Sequence, residues 1–164
     1  MDRERFEAEA LPQLKRLYGT AYRMTRNAAD AEDLVQETLY RAFRSFDRFQ
    51  AGTNIRAWLH TILQRVRTDA LRRAGRRPRT EELDEEGVPA VPAPQEALVW
   101  GSEEVESALG RVPEVFRVAL LLRDVEEMSY AEIAAALQVP QGTVMSRIHR
   151  GRALLRAALT ATKP

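Results

Sequence analysis

The side chains best equipped for chemistry lie close together in "TVMSRIHRGR": Thr143, Met145, Ser146, Arg147, His149 and Arg150. They do not make a catalytic set. Arginine can donate bidentately to the O6 and N7 edge of guanine. Serine and threonine can bond to bases or to phosphates, and a methionine can pack against a thymine methyl. At 100° per residue, Val144, Ile148, Gly151 and Leu155 fall on one narrow face, which must be the packed side. The opposite face presents Met145, Ser146, His149, Arg150 and Ala153, with Thr143, Arg147 and Arg152 on the flanks. Such a helix suits the major groove of DNA. The same division also describes the solvated side of a helical bundle.

The elements around this helix favour the first alternative. Ser129-x-x-Glu132 is a capping box, in which the serine hydroxyl and the glutamate carboxylate each satisfy a first-turn N–H. It opens a short helix with Ile133, Ala134 and Leu137 inward, and alanines 134 to 136 permit close approach by another helix. "QVPQG" ends it, because Pro140 excludes Val139 from helical geometry. A second helix then starts at 141–143, and residues 141–164 contain cations but no Asp or Glu. Helix, tight turn and basic helix make a helix-turn-helix.

The whole chain has 164 residues, a net charge of +1 and 45% apolar residues, enough for a core but no evidence of a polyanion partner. Charge distribution is more informative. Residues 65–79, "RVRTDALRRAGRRPR", carry seven arginines and one acid, and "EELDEE" reverses the sign directly afterwards. With no cysteines, disulfides, zinc fingers and thiol switches are excluded within the chain. The two histidines, His60 and His149, are far apart, and no phosphate loop or nucleophile–base spacing occurs. The expectation is no enzyme, no metal, no cofactor and no small-molecule substrate. "MDRERFEAEALPQL" lacks the apolar run of a signal peptide and no stretch is long enough to span a membrane, so the expectation is a cytoplasmic chain with no direct membrane insertion.

The helical period recurs at both ends of the chain. "LPQLKRLYGTAYRMTRN" places Leu14, Leu17, Ala21 and Met24 on one stripe, with Pro12 in a first turn. "DAEDLVQETLYRAFRSF" predicts a helix capped by Asp30, with Leu34, Val35, Thr38, Leu39, Ala42, Phe43 and Phe46 inward. "DRFQAGTN" reads as a loop. "IRAWLHTILQRVRTDALRR" follows as a helix with Trp58, Leu59, Ile62, Leu63, Val66, Ala70 and Leu71 as its stripe. "GVPAVPAP", with three prolines in eight residues, marks a flexible linker. Beyond it, Pro113 opens a helix with core positions Val115, Val118, Ala119 and Leu122. The chain therefore reads as all-α, with a helical-bundle domain over 1–74, a linker over 75–101 and a helix-turn-helix domain over 102–164.

Three segments in this order, "DAEDLVQETLYRAF", "RAWLHTIL" and "SYAEIAAALQVPQGTVMSRIHRGRALLR", resemble the extracytoplasmic-function (group four) sigma factors of bacterial RNA polymerase. The resemblance covers nearly the whole chain. It implies a sigma-two-like and a sigma-four-like domain that bind core RNA polymerase, at the clamp helices of the largest subunit and at the flap, and direct it to promoter DNA. By resemblance, Asp33, Gln36, Glu37 and Arg41 belong to the polymerase-docking surface. The loop "SFDRFQAGTNIRAW" resembles the one that captures a flipped base of the minus-ten element. Phe49, Asn54, Trp58, Arg65, Arg67, Arg72 and Arg73 would then serve minus-ten binding and melting. Thr143, Met145, Ser146, Arg147, His149 and Arg150 would serve the minus-thirty-five element. An anti-sigma factor is the expected regulatory partner.

The sequence departs from the family pattern at three places. Gln64-Arg65 stands where many members have Arg-Asn, Glu127 where many have glycine, and Met145 where many have Lys or Arg. Two other readings compete: a conventional helix-turn-helix regulator, which leaves the first domain unexplained, and a sigma-like partner-switching protein, which has no need of the DNA-facing arginines.

Overall fold

The computed structural model describes residues 2–75 and 98–161, and every described element is helical. The described residues form eight α-helices: α1 (Asp2–Ala10), α2 (Leu14–Thr25), α3 (Ala28–Arg44), α4 (Ile55–Arg73), α5 (Glu103–Leu109), α6 (Glu114–Asp124), α7 (Tyr130–Leu137) and α8 (Gln141–Ala161). They divide between two compact units, one built on α1–α4 and the other on α5, α6, the start of α7 and α8. Most of the linker expected over 75–101 lies outside the described residues.

In the first unit α3 packs against both α2 and α4. Leu17, Ala21 and Met24 of α2, Ala31, Leu34, Val35 and Ala42 of α3, and Leu59, Leu63 and Val66 of α4 form the core. The spacing of these residues is the helical period, so each amphipathic helix covers the apolar face of another. Several sequence expectations change. Helix α1 and a 3-10 turn at Leu11–Gln13 precede α2, and Pro12 sits in that turn. The α1 sequence is mostly charged and shows little amphipathic signal, yet Phe6 buries itself against Phe43 and Phe46. The α3 N-cap is Asn27, not Asp30: the Asp30 N–H donates to Asn27 Oδ1 at 3.0 Å, leaving Asp30 in the first turn, where the helix dipole favours its charge. Phe43 is not a core residue; it touches Phe6 by an edge and stays largely exposed.

In the second unit α6 is the central element. Every residue from Phe116 to Leu122 is buried, a run with no polar stripe, as expected for a helix covered on all sides. Val115, expected in the core, is only half-buried. Helix α8 packs on α6 through Val144, Ile148, Gly151 and Leu155, the face read from the sequence. At Gly151 a Cβ would lie 3.1 Å from the Phe116 carbonyl oxygen and 3.4 Å from Leu120 Cβ, so glycine sets how closely the two helices approach. Ser102 caps α5, and Pro113, just before α6, supplies the extended residue from which that helix starts.

Candidate nucleic-acid and polymerase interface

On α3, Asp33 and Gln36 are exposed and Glu37 and Arg41 half-buried, one helical face apart by three and four residues. Arg41 is the fixed member. Its Nε donates to Glu37 Oε1 at 2.9 Å and its Nη1 to Asp69 Oδ2 of α4 at 2.8 Å. The pair with Asp69 holds that carboxyl below the ordinary carboxylate range and raises the arginine. Arg72 and Arg73 also stabilise the Asp69 charge. Asp69 thus ties the α3 surface to the basic end of α4, a role the sequence signalled only as the single acid in an arginine-rich run. Two exposed aromatics flank this face and were missed as site candidates. Tyr40 is 56% exposed, and Arg44 lies over its ring at 5.6 Å and donates to its hydroxyl at 3.3 Å; Phe43 is the other.

The loop between α3 and α4 is pinned at both ends by aromatic packing. Phe46 stacks on Phe49 with centroids 5.7 Å apart, and Phe49 meets Trp58 at 5.1 Å. Such pairs add about 0.5–1.5 kcal/mol each beyond burial. Phe49, expected to serve minus-ten binding, is only 6% exposed: stacking on Phe46 and Trp58 puts it inside the cluster, where it supports the loop. Trp58 is half-buried beside it. Residues 50–54 are exposed, and Gly52 takes a φ of +86°, the left-handed turn that lets the loop project. Asn54 is exposed but its Oδ1 accepts from the Ala57 N–H at 3.2 Å as the α4 N-cap, so that oxygen is already engaged.

Along α4, Arg65, Arg72 and Arg73 are exposed and Arg67 is half-buried. The departure at 64–65 has a structural meaning. Gln64 is 2% exposed and its Nε2 approaches the Met24 sulfur at 3.2 Å, so it is a packing residue, and Arg65 alone faces outward. Ala70, placed on the core stripe by spacing, is exposed.

In the second unit the capping box forms as expected. The Ser129 N–H donates to Glu132 Oε1 at 2.9 Å and the Glu132 N–H to Ser129 Oγ at 3.1 Å. Helix α7 ends on Gln138 with φ +56°, and the Val139 N–H bonds the Ala134 carbonyl, a left-handed C-terminal motif that usually employs glycine. Helix α8 then begins, and Met145 (52% exposed), Ser146 and His149 point outward, with Arg150, Thr143 and Arg147 half-buried at the edges. Burial lowers the Arg147 pKa. Arg152 has a different task from its neighbours: its Nε donates to Asp124 Oδ2 at 3.1 Å and its Nη2 to Asp124 Oδ1, a two-point clamp between α8 and α6 that raises the guanidinium pKa. Beside the clamp, Leu98, Trp100, Arg123, Glu127 and Arg156 line an open cleft, so Leu98 and Trp100, at the end of the expected linker, belong to this unit's surface. Among the described residues no group of His, Asp or Glu could hold a metal, and no helix is long and apolar enough to cross a membrane.

The first unit thus sets an aromatic-pinned loop beside a basic helix, and the second carries a basic helix after a tight turn. Residues 13–77 match the family model "Sigma-70 region 2" and residues 102–155 match "Sigma-70, region 4". An alignment of 146 residues is 46% identical to the ECF RNA polymerase sigma factor SigE of Mycolicibacterium smegmatis, covering 86% of this chain and 56% of that protein. SigW of Bacillus subtilis, also an ECF RNA polymerase sigma factor, is 31% identical, with 88% of this chain and 83% of that protein covered. Among solved structures, the sigma factor RpoE of Bartonella quintana, in complex with the anti-sigma factor NepR, superposes with a TM-score of 0.73 at 30% identity, covering 98% of this chain and 99% of that one. The chain belongs to the ECF sigma factors of RNA polymerase.

Proposed function

We propose that this chain docks on core RNA polymerase through α3, opens and reads the minus-ten element with the α3–α4 loop and the basic side of α4, and reads the minus-thirty-five element with α8. The observation that carries this reading is the division of α8: four packed residues on α6, opposite a face of Met145, Ser146 and His149 edged by Arg150. Asp33, Gln36, Glu37 and Arg41 form the docking surface, with Tyr40 added from its exposure. Asn54, Trp58, Arg65, Arg67, Arg72 and Arg73 serve the minus-ten region, where the cations hold phosphates and the loop receives an unstacked base. Phe49 supports that loop from within. Thr143, Met145, Ser146, Arg147, His149 and Arg150 serve the minus-thirty-five groove.

The domains run over 1–74 and 102–164 with a linker over 75–101, among whose last residues Leu98 and Trp100 lie on the second unit's surface. The chain works in the bacterial cytoplasm and performs no catalysis: RNA synthesis belongs to the polymerase. It is held inactive by an anti-sigma factor, in keeping with the complex in which RpoE was solved with the anti-sigma factor NepR. The test is a gel shift on promoter DNA with and without core polymerase. Specific binding only in the presence of core supports the reading; tight specific binding by the chain alone identifies a conventional helix-turn-helix regulator instead.

A further inference from the structure

The described methionines differ sharply in exposure. Met24 and Met128 are fully buried, and Met24 is further engaged by the Gln64 amide. Met145 stands half in solvent on the outer face of α8, one turn from His149 and flanked by Ser146. The chain has no cysteine, so thioethers are its oxidisable sulfur. Oxidation of methionine follows exposure, and the sulfoxide is a polar, chiral acceptor in place of an apolar, flexible group. At this position the change falls on the surface that meets base edges.

We propose that Met145 is an oxidation site whose conversion to the sulfoxide changes which promoter sequences the chain selects. The inference rests on the reading of α8 as the minus-thirty-five helix. The oxidant is a hydroperoxide. The Met145 sulfur lone pair attacks one peroxide oxygen, the O–O bond breaks and an S–O bond forms. Sulfur loses two electrons, and the second oxygen leaves, protonated, as water or an alcohol. A thiol-dependent methionine sulfoxide reductase returns the two electrons and removes the oxygen as water. Reduced Met145 favours an apolar neighbour such as a thymine methyl; the sulfoxide cannot keep that contact and offers an acceptor to a base amino group instead. Losing one buried methyl contact corresponds to about a fourfold change in preference.

The experiment treats the full chain with graded hydrogen peroxide, maps each methionine by peptide mass, and selects promoters from a pool randomised in the minus-thirty-five element with core polymerase. The expected result is oxidation of Met145 well before Met24 and Met128. Preference at one base position shifts about fourfold, reductase treatment reverses the shift, and Met145→Leu protein gives a selection profile that peroxide does not alter. Equal oxidation rates at buried and exposed methionines overturn the proposal. So does an unchanged profile with Met145 fully oxidised, or a peroxide-dependent shift that persists in Met145→Leu. Arg150→Ala, measured on untreated protein, separates the two levels of argument. If it weakens promoter binding while oxidation of Met145 changes nothing, the oxidation site alone is wrong; if it too has no effect, the assignment of α8 to DNA fails and the proposal with it.

Discussion

Replacing Glu127 by glycine is expected to stabilise the second unit. Glu127 follows α6 with a φ of +56°, a left-handed conformation in which an L residue brings its Cβ toward the following carbonyl oxygen. The turn is held in place by its neighbours: the Glu126 N–H bonds the Leu121 carbonyl and the Met128 N–H bonds the Leu122 carbonyl, while Met128 is fully buried. Glu127 therefore cannot relax without releasing Met128. The left-handed cost is about 1–2 kcal/mol. Glycine escapes it but loses about 0.4–1 kcal/mol through its freer unfolded chain. The midpoints of the two ranges leave Glu127→Gly more stable by about 0.8 kcal/mol, a rise of roughly 3–6 °C for a unit of this size. Differential scanning calorimetry of the full chain measures it. Glu127→Ala is the control, since alanine removes the carboxylate but keeps the Cβ. If alanine stabilises as much as glycine, the effect comes from the carboxylate. If glycine lowers the melting temperature, the backbone argument is wrong.

Other outcomes are expected. Asp69→Asn should cost less than about 1 kcal/mol near neutral pH, because both partners of the Arg41 pair are partly exposed. The folded Asp69 pKa lies below its unfolded value, so the stabilisation is present above about pH 4 and lost as pH falls through the folded value; urea titrations across that range should show wild type and variant converging in acid. Gly142→Ala, which meets nothing within 4 Å, should gain up to about 1 kcal/mol of helix propensity, whereas Gly151→Val should destabilise by about 1–3 kcal/mol by forcing α8 away from the Phe116 carbonyl. Met145→Arg should shift base preference at one minus-thirty-five position, and Arg150→Ala should weaken promoter binding by about 1–3 kcal/mol in a competition assay. Arg72→Ala should flatten the salt dependence of promoter binding by the holoenzyme by about one log unit per log unit of salt.

Much of the fold was legible because burial follows the helical period. The α8 face of Val144, Ile148, Gly151 and Leu155 needs only 100° arithmetic, and the capping box is a local exchange between residues three apart. Helix α1 escaped notice because its charged sequence has no stripe and a single residue, Phe6, anchors it. Ala70 and Phe43 were misplaced because the helical period gives the direction of the packed stripe but not its width. The candidate site was less legible where contacts are long-range. Nothing in the local sequence says that Arg41 reaches Asp69 or that Arg152 clamps Asp124, each 28 residues away. The burial of Phe49 was not legible, because loop aromatics have no period to reveal it. At 64–65, spacing alone could not say which of Gln64 and Arg65 faces inward. At 127 the residue type misled: glutamate gives no hint of a left-handed turn, though the resemblance to chains with glycine there did.

Run-off transcription with core polymerase on a promoter pool randomised at both elements tests the central claim most directly. Specific initiation is expected only when chain and core are combined, from sequences sharing a minus-ten and a minus-thirty-five element, with the latter preference altered in Met145→Arg. Initiation no more specific than that of core alone would contradict it.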